Sequence, residues 1–317
     1  MEPTASLLGG PGIGAALRRL LLATRPPFLT ASAMPVVVGT AWGASQVGSL
    51  DWWPAFCALV GVMLLHAAAN VLNDVGDEVG GTDRLNSGRI YPYTGGSRFI
   101  QNGVLSVAQM RQWGIALLLL ALLPGIALLA MRGAAILWLG AAGIVLGVAY
   151  SLRPMALAAR GLGELAVALA FGVLPGVAAA WLQSGHVDAT GVWVVLPTTL
   201  WVTAILLINE VPDVEADAAA GKRTLPVRFG LAATQWIYRA LQAGAVLALG
   251  VVVLRDAAHP LVLLLPTVLA ALAWRQSAAI CAPRELRPAL RAAIELTLRT
   301  HALGSLWVAG WVVARGL

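Results

Sequence analysis

Eight of the fifteen acidic residues fall in two short segments, Asp74, Asp77, Glu78 and Asp83 in the first and Glu210, Asp213, Glu215 and Asp217 in the second. In each, an asparagine stands four residues before the leading aspartate: Asn70 before Asp74, Asn209 before Asp213. On a helix that spacing puts amide and carboxylate on one face, one turn apart. Asp74 and Asp77, three apart, and Asp213 and Asp217, four apart, would likewise be surface neighbours. Carboxylates held so close repel one another unless a cation or a shared proton compensates. Oxygen-only ligands favour a hard ion, and magnesium suits a site that offers one or two carboxylates and leaves room for substrate phosphates. Lys222, the only lysine, and Arg223 follow the second cluster directly. Two acidic clusters facing one cavity suit a diphosphate bridged by magnesium, where metal and cations neutralise the charge growing on a leaving group. Merely solvated loops would need neither the repeated spacing nor the adjacent cations. Taken singly, Glu78 and Glu215 read as ordinary surface charges, and Lys222 with Arg223 would also fit an ordinary basic loop.

The elements that must position these clusters are set by composition. The 317 residues are 59% hydrophobic and 11% charged, which fits a bilayer better than water. Nine apolar runs approach the length needed to cross about 30 Å of hydrocarbon: 28–46, 52–72, 113–131, 134–151, 164–183, 190–210, 231–254, 260–275 and 296–315. We therefore expect an all-α integral membrane protein, a single bundle of about nine transmembrane helices spanning 1–317, with 1–27 a cytoplasmic segment. Residues 13–24, with Leu17, Arg18, Arg19, Leu20 and Leu21, read as a short interfacial helix. No secretory signal is read in the first 27 residues. Cys57 and Cys281 have neither Cys-x-x-Cys spacing nor a histidine cluster, so no disulfide framework or zinc site is implied.

With nine spans, 18 of the 21 Lys and Arg residues fall on one side, leaving only Arg132, Arg255 and Arg315 on the other. Basic residues are retained in the cytoplasm, so the N-terminus and both acidic segments are expected there and the C-terminus outside, in a bacterial-type inner or plasma membrane. The net charge of +6 follows from this rule and does not call for nucleic acid. The acidic segments are four spans apart, which suggests a weak internal repeat with two equivalent edges on one cavity.

The segments around these clusters resemble the UbiA superfamily of membrane prenyltransferases, and more closely its 1,4-dihydroxy-2-naphthoate polyprenyltransferase branch in menaquinone biosynthesis. The resemblance runs from about residue 25 to 230. It rests on Arg25 and Pro26 ahead of Leu29, Thr30 and Ala31; on Asn70 to Asp83; on Gly95, Gly96, Ser97 and Arg98; on Gly161, Leu162, Gly163 and Glu164; and on Asn209 through Leu225. The ubiquinone-type branch usually has a further aspartate at the position of Gly81; here the next is Asp83, as in the naphthoate branch. The chain departs from the usual naphthoate pattern at Val75, Gly76, Glu210 and Pro212.

The resemblance implies that Asp74, Asp77, Asp213 and Asp217 hold Mg2+, with Asn70, Asn73, Asn209 and Asp83 in the substrate-binding segments beside them. It implies that Arg153, Lys222 and Arg223 contact diphosphate oxygens and that Tyr150 lies near the reacting allylic carbon, where a ring face favours a developing cation. An interfacial aromatic anchor is the other reading of Tyr150. His66, one turn before Asn70, either orients an acceptor hydroxyl or simply packs. The expected partners are a polyprenyl diphosphate, an aromatic acceptor and membrane lipid. A UbiA-type cyclase, an enzyme with another acceptor, and a lipid carrier or transporter are the alternatives. A carrier would concentrate polar groups at mid-membrane rather than at one face. Labels at Asn86, His186 and Lys222 should report cytoplasmic, external and cytoplasmic locations; finding His186 on the same side as Lys222 would refute nine spans.

Overall fold

The computed structural model describes residues 2–81, 88–151, 154–256 and 258–316, and every regular element among them is helical. In chain order these are α1 (Ala5–Leu8), α2 (Ile13–Ala23), α3 (Pro26–Val47), α4 (Trp52–Gly80), α5 (Val107–Arg132), α6 (Ala135–Ser151), α7 (Gly163–Ser184), α8 (Ala189–Asn209), α9 (Val214–Ala219), α10 (Leu225–Asp256), α11 (Pro260–Cys281, with 3-10 turns at both ends) and α12 (Arg287–Gly316). Seven of them, α3, α4, α5, α7, α8, α10 and α11, are long and apolar enough to cross a membrane. Helix α6 is apolar but shorter. Helix α12 is long, and Arg299, Thr300, His301 and Ser305 make it more polar than the rest. The chain is an integral membrane protein in which each expected span coincides with a helix and seven satisfy the length and composition of a span.

Burial grades these helices from centre to rim. The spanning window of α8 is 72% buried and that of α5 only 17%, so α8 is the central post and α5 a lipid-facing wall. Helix α3 also lies inside, against α7 and α12. Its approach to α7 depends on glycine: the carbonyl of Gly176 occupies the place where a Cβ on Gly39 would stand, and the carbonyl of Ala180 does the same opposite Gly43. Lipid tails are as apolar as leucine, so helices in a bilayer associate through such close backbone packing rather than through burial from water. Helix α2 shows Ile13, Leu17 and Leu21 as one exposed apolar stripe, and its Leu20 carbonyl accepts from the Trp113 indole at 3.0 Å. A helix of that kind lies along a membrane surface.

Two features carry the acidic segments out of the apolar layer. Helix α4 has 29 residues. At 1.5 Å per residue it is about 44 Å long, well over the hydrocarbon thickness, so its last turns lift Asn70, Asp74 and Asp77 to the bilayer edge. Asp74, Asp77 and Glu78 are therefore on the helix, although the apolar run ends at residue 72. Pro212 ends α8 rather than kinking it: the chain leaves the helix at Glu210, turns, and resumes as α9. Helix α10 also starts earlier than expected, with a non-helical break at Gly230 separating Leu225–Phe229 from the membrane stretch.

Replacing Gly39 with leucine should lower the melting temperature of the detergent-purified protein, at a cost of at least about 1–3 kcal/mol, because the side chain meets backbone that cannot rotate away. Gly140→Leu, where nothing stands within 4 Å of the added Cβ, should leave it unchanged.

Candidate active site

The end of α4 and the start of the second acidic segment meet at one ammonium. Lys222 Nζ lies 3.3 Å from Asp77 Oδ1 and 3.7 Å from Asp217 Oδ1, so a single cation touches a carboxylate of each cluster. The second segment is folded to place it: α9 carries Asp217 one turn beyond Asp213, whose carbonyl accepts from the Asp217 amide at 2.8 Å, and the Lys222 amide then closes onto the Asp217 carbonyl at 2.8 Å. Burial pushes the Asp217 carboxyl up to about 6; Lys222 pulls it down, and the nearby Asp213 and Asp77 raise it further. A carboxylate so placed lacks positive charge.

Asp74 is buried, facing the loop after α4. Its Oδ2 accepts the Ser97 amide at 3.0 Å, while Oδ1 is buried with no hydrogen-bond partner. The loop turns there because Gly95 and Gly96, with φ of 74° and 73°, take a left-handed backbone that Arg98 also adopts. Asn70 donates from Nδ2 to the Thr24 carbonyl at 2.9 Å, tying α4 to the end of α2. Asn209 Oδ1 and Thr224 Oγ1 are buried and unpartnered. The orphaned Asp74 oxygen, the crowded Asp217 and the all-oxygen donor set fit magnesium completed by substrate phosphate oxygens. Among the described residues no three acid, histidine or cysteine side chains close a metal site by themselves.

The other expected residues are distributed around this centre. Tyr150 packs with Phe171 and Leu206 on Ala31, Val167 and Val202, an apolar floor beneath the acids. The Tyr150 ring is partly buried and lies beside the start of α7 at Gly163. Asn73 is exposed. Arg223 docks through its backbone, its amide donating to the Ala159 carbonyl at 2.8 Å; its side chain is exposed and lines a shallow cavity of about 310 Å³ with Val227 and Arg228. Asp83 and Arg153 lie outside the described residues. His66 is buried, hydrogen-bonded to Ser32 Oγ at 3.0 Å with its ring 4.7 Å from that of Phe171, a packed histidine.

Two groups received no role from the sequence. Arg25, at the start of α3, has a left-handed φ of 57°, donates to the Tyr93 carbonyl at 3.3 Å and keeps a buried, unpartnered Nε. Its signal was the strained position just before Pro26 and Pro27, which fixes the helix start. Glu210 lies beside Glu164, and burial, reinforced by that neighbour, pushes the Glu210 carboxyl well above the ordinary range. Nothing in the spacing of residues 164 and 210 announced that pairing.

Residues 32–298 match the UbiA prenyltransferase family. The 1,4-dihydroxy-2-naphthoate octaprenyltransferase of Escherichia coli K12 is 33% identical over 215 residues, covering 65% of this chain and 67% of its own. That of Mycobacterium leprae is 30% identical over 217 residues, 68% of this chain and 71% of its own. Among solved structures, a UbiA homolog from Archaeoglobus fulgidus bound to DMAPP and Mg2+ superposes with a TM-score of 0.63 at 20% identity, covering 93% of this chain and 99% of that one. With a family match over most of its length and a site of paired carboxylates at one end of an apolar bundle, the chain belongs to the UbiA prenyltransferase family.

Proposed function

We propose that this protein transfers a polyprenyl group from its diphosphate to 1,4-dihydroxy-2-naphthoate, with loss of the acceptor's carboxyl group, as a step toward menaquinone. The observation that carries the reading is Lys222 held between Asp77 and Asp217, since it gathers both acidic clusters around a position suited to an anionic leaving group. Support for the donor comes from the Archaeoglobus fulgidus homolog described with a prenyl diphosphate and Mg2+. Support for the acceptor comes from the naphthoate octaprenyltransferases of Escherichia coli and Mycobacterium leprae.

In this reading Asp74, Asp77, Asp213 and Asp217 hold magnesium, Asn70 and Asn209 stand beside them, and Lys222, Arg223 and Arg153 meet diphosphate oxygens. Magnesium, when bound, supplies neutralising charge to the diphosphate. The chain's own groups do the rest. Lys222 strengthens its contact as charge grows on the departing oxygen. Tyr150 presents its ring to the allylic carbon as the carbon–oxygen bond breaks. The floor of Phe171, Leu206, Val167 and Val202 keeps water from the cation until the electron-rich ring attacks it. A carbon–carbon bond forms at the ring carbon that bears the carboxylate, and the ring regains aromaticity as that carboxylate leaves as carbon dioxide. The prenyl tail lies among the apolar helices or lipid. We place nine spans, one domain, and the site on the cytoplasmic side, where soluble acceptor and released diphosphate have access.

Asp74→Ala and Asp213→Ala should each abolish turnover, because each removes a proposed metal ligand; Asp74→Asn, which keeps an acceptor for the Ser97 amide, should do so while the protein still purifies as a folded species. Magnesium-dependent rates near wild type in both alanine variants would refute the site. In the same assay the wild type should prenylate 1,4-dihydroxy-2-naphthoate in preference to 4-hydroxybenzoate; equal or better use of the benzoate would reject the acceptor and leave the donor chemistry standing.

A further inference from the structure

The Gly161–Glu164 turn is used by none of the donor chemistry, yet it delivers a carboxyl group to the centre of the protein. Glu164 is 7% exposed, at the start of α7, and both its oxygens are buried without a hydrogen-bond partner. A carboxyl that satisfies neither oxygen within the protein is costly in any apolar setting, and more so in a membrane bundle. The backbone has been built to bring it there. A Cβ on Gly163 would stand 3.8 Å from Tyr150 Cε2 and 3.6 Å from Leu206 Cδ2, ordinary contact distances, so the turn lies beside the Tyr150 ring and α8. Glu210 follows Leu206 by four residues, one helical turn, which sets its carboxyl beside that of Glu164, and its Oε2 is also buried and unpartnered. A proton shared between the two carboxyls would supply one donor to oxygens that can accept several hydrogen bonds. No side-chain or backbone group of the protein meets their remaining acceptor capacity within hydrogen-bond geometry.

We infer that Glu164 is a specificity-determining residue that accepts a hydrogen bond from a ring hydroxyl of the aromatic acceptor, holding the ring against Tyr150 with its nucleophilic carbon toward the allylic position. The ligand class is a hydroxyarene with a free O–H, and the inference rests on the aromatic acceptor proposed above. Glu210 serves as the second wall of the same polar niche. The acceptor then lies against Tyr150 at the Glu164 end of the site, while the diphosphate stays with Lys222 between Asp77 and Asp217.

The test compares wild type and Glu164→Gln on 1,4-dihydroxy-2-naphthoate and on each of its two mono-O-methyl ethers, with KM for acceptor and for prenyl diphosphate measured separately. For wild type, methylating one hydroxyl should raise acceptor KM about tenfold or more, because a site built to receive an O–H rejects the analogue lacking it. Glu164→Gln should raise KM for the dihydroxy acceptor by about the same factor, leave KM for the diphosphate within about twofold, and no longer distinguish that ether from the free hydroxyl. An unchanged acceptor KM, or an equal loss on ether and free hydroxyl, overturns the inference. Should the variant not fold, the wild-type comparison decides alone: equal KM for all three compounds overturns it. If wild type transfers prenyl to none of them, it is the proposed acceptor that fails, and the inference falls with it.

Discussion

The arrangement turns on one interaction, the Lys222 ammonium lying between Asp77 of the first cluster and Asp217 of the second. Gathering carboxylates at the edge of an apolar bundle is unfavourable, because they repel one another and have lost part of their water. One ammonium offsets only part of that, and the raised Asp217 carboxyl and the orphaned Asp74 oxygen show what is left over. A site that is short of positive charge when empty is the one that gains most from binding metal ions together with a polyanion.

Much of the architecture can be read as support for that contact. Helix α4 overshoots the hydrocarbon layer and carries Asp74 and Asp77 on its last turns. The central helix α8 stops at Pro212, freeing α9 to bring Asp217 back toward α4. The left-handed turn at Gly95 and Gly96 fixes Asp74 through the Ser97 amide. Beneath the acids, Tyr150, Phe171 and Leu206 begin an apolar interior within one helical turn of Glu210. Charge above and hydrocarbon below, so close together, is what a reaction needs when it expels an anion and protects a cation. The glycine contacts between α3 and α7 hold that interior tight without polar bonds.

The helices and the acidic segments were legible in the sequence because their signals are local: apolar runs of membrane length, and acids at helical spacing. Element limits were less so. The run of α4 looked finished at residue 72 because charges begin there, yet hydrogen bonding continues the helix to Gly80. Single-residue roles depended on contacts between distant segments. Arg25 beside Tyr93, Ser97 on Asp74 and Glu164 beside Glu210 join residues from 23 to 68 positions apart, and no periodicity encodes them. His66 had two readings, and its bond to Ser32 selects the packed one. For Arg223 the resemblance implied a diphosphate contact, and its side chain lines a cavity shared with Arg228.

The central claim is that the two clusters act together as one magnesium-dependent diphosphate site. Its most direct test is equilibrium binding of an unreactive prenyl thiodiphosphate to the purified protein, titrated with and without Mg2+, in wild type and in the Asp77→Asn/Asp217→Asn double variant. The account predicts that magnesium strengthens binding to wild type about tenfold or more and that the double variant loses that gain while remaining folded. Equal affinity with and without magnesium in wild type, or the same gain in the double variant, would contradict it.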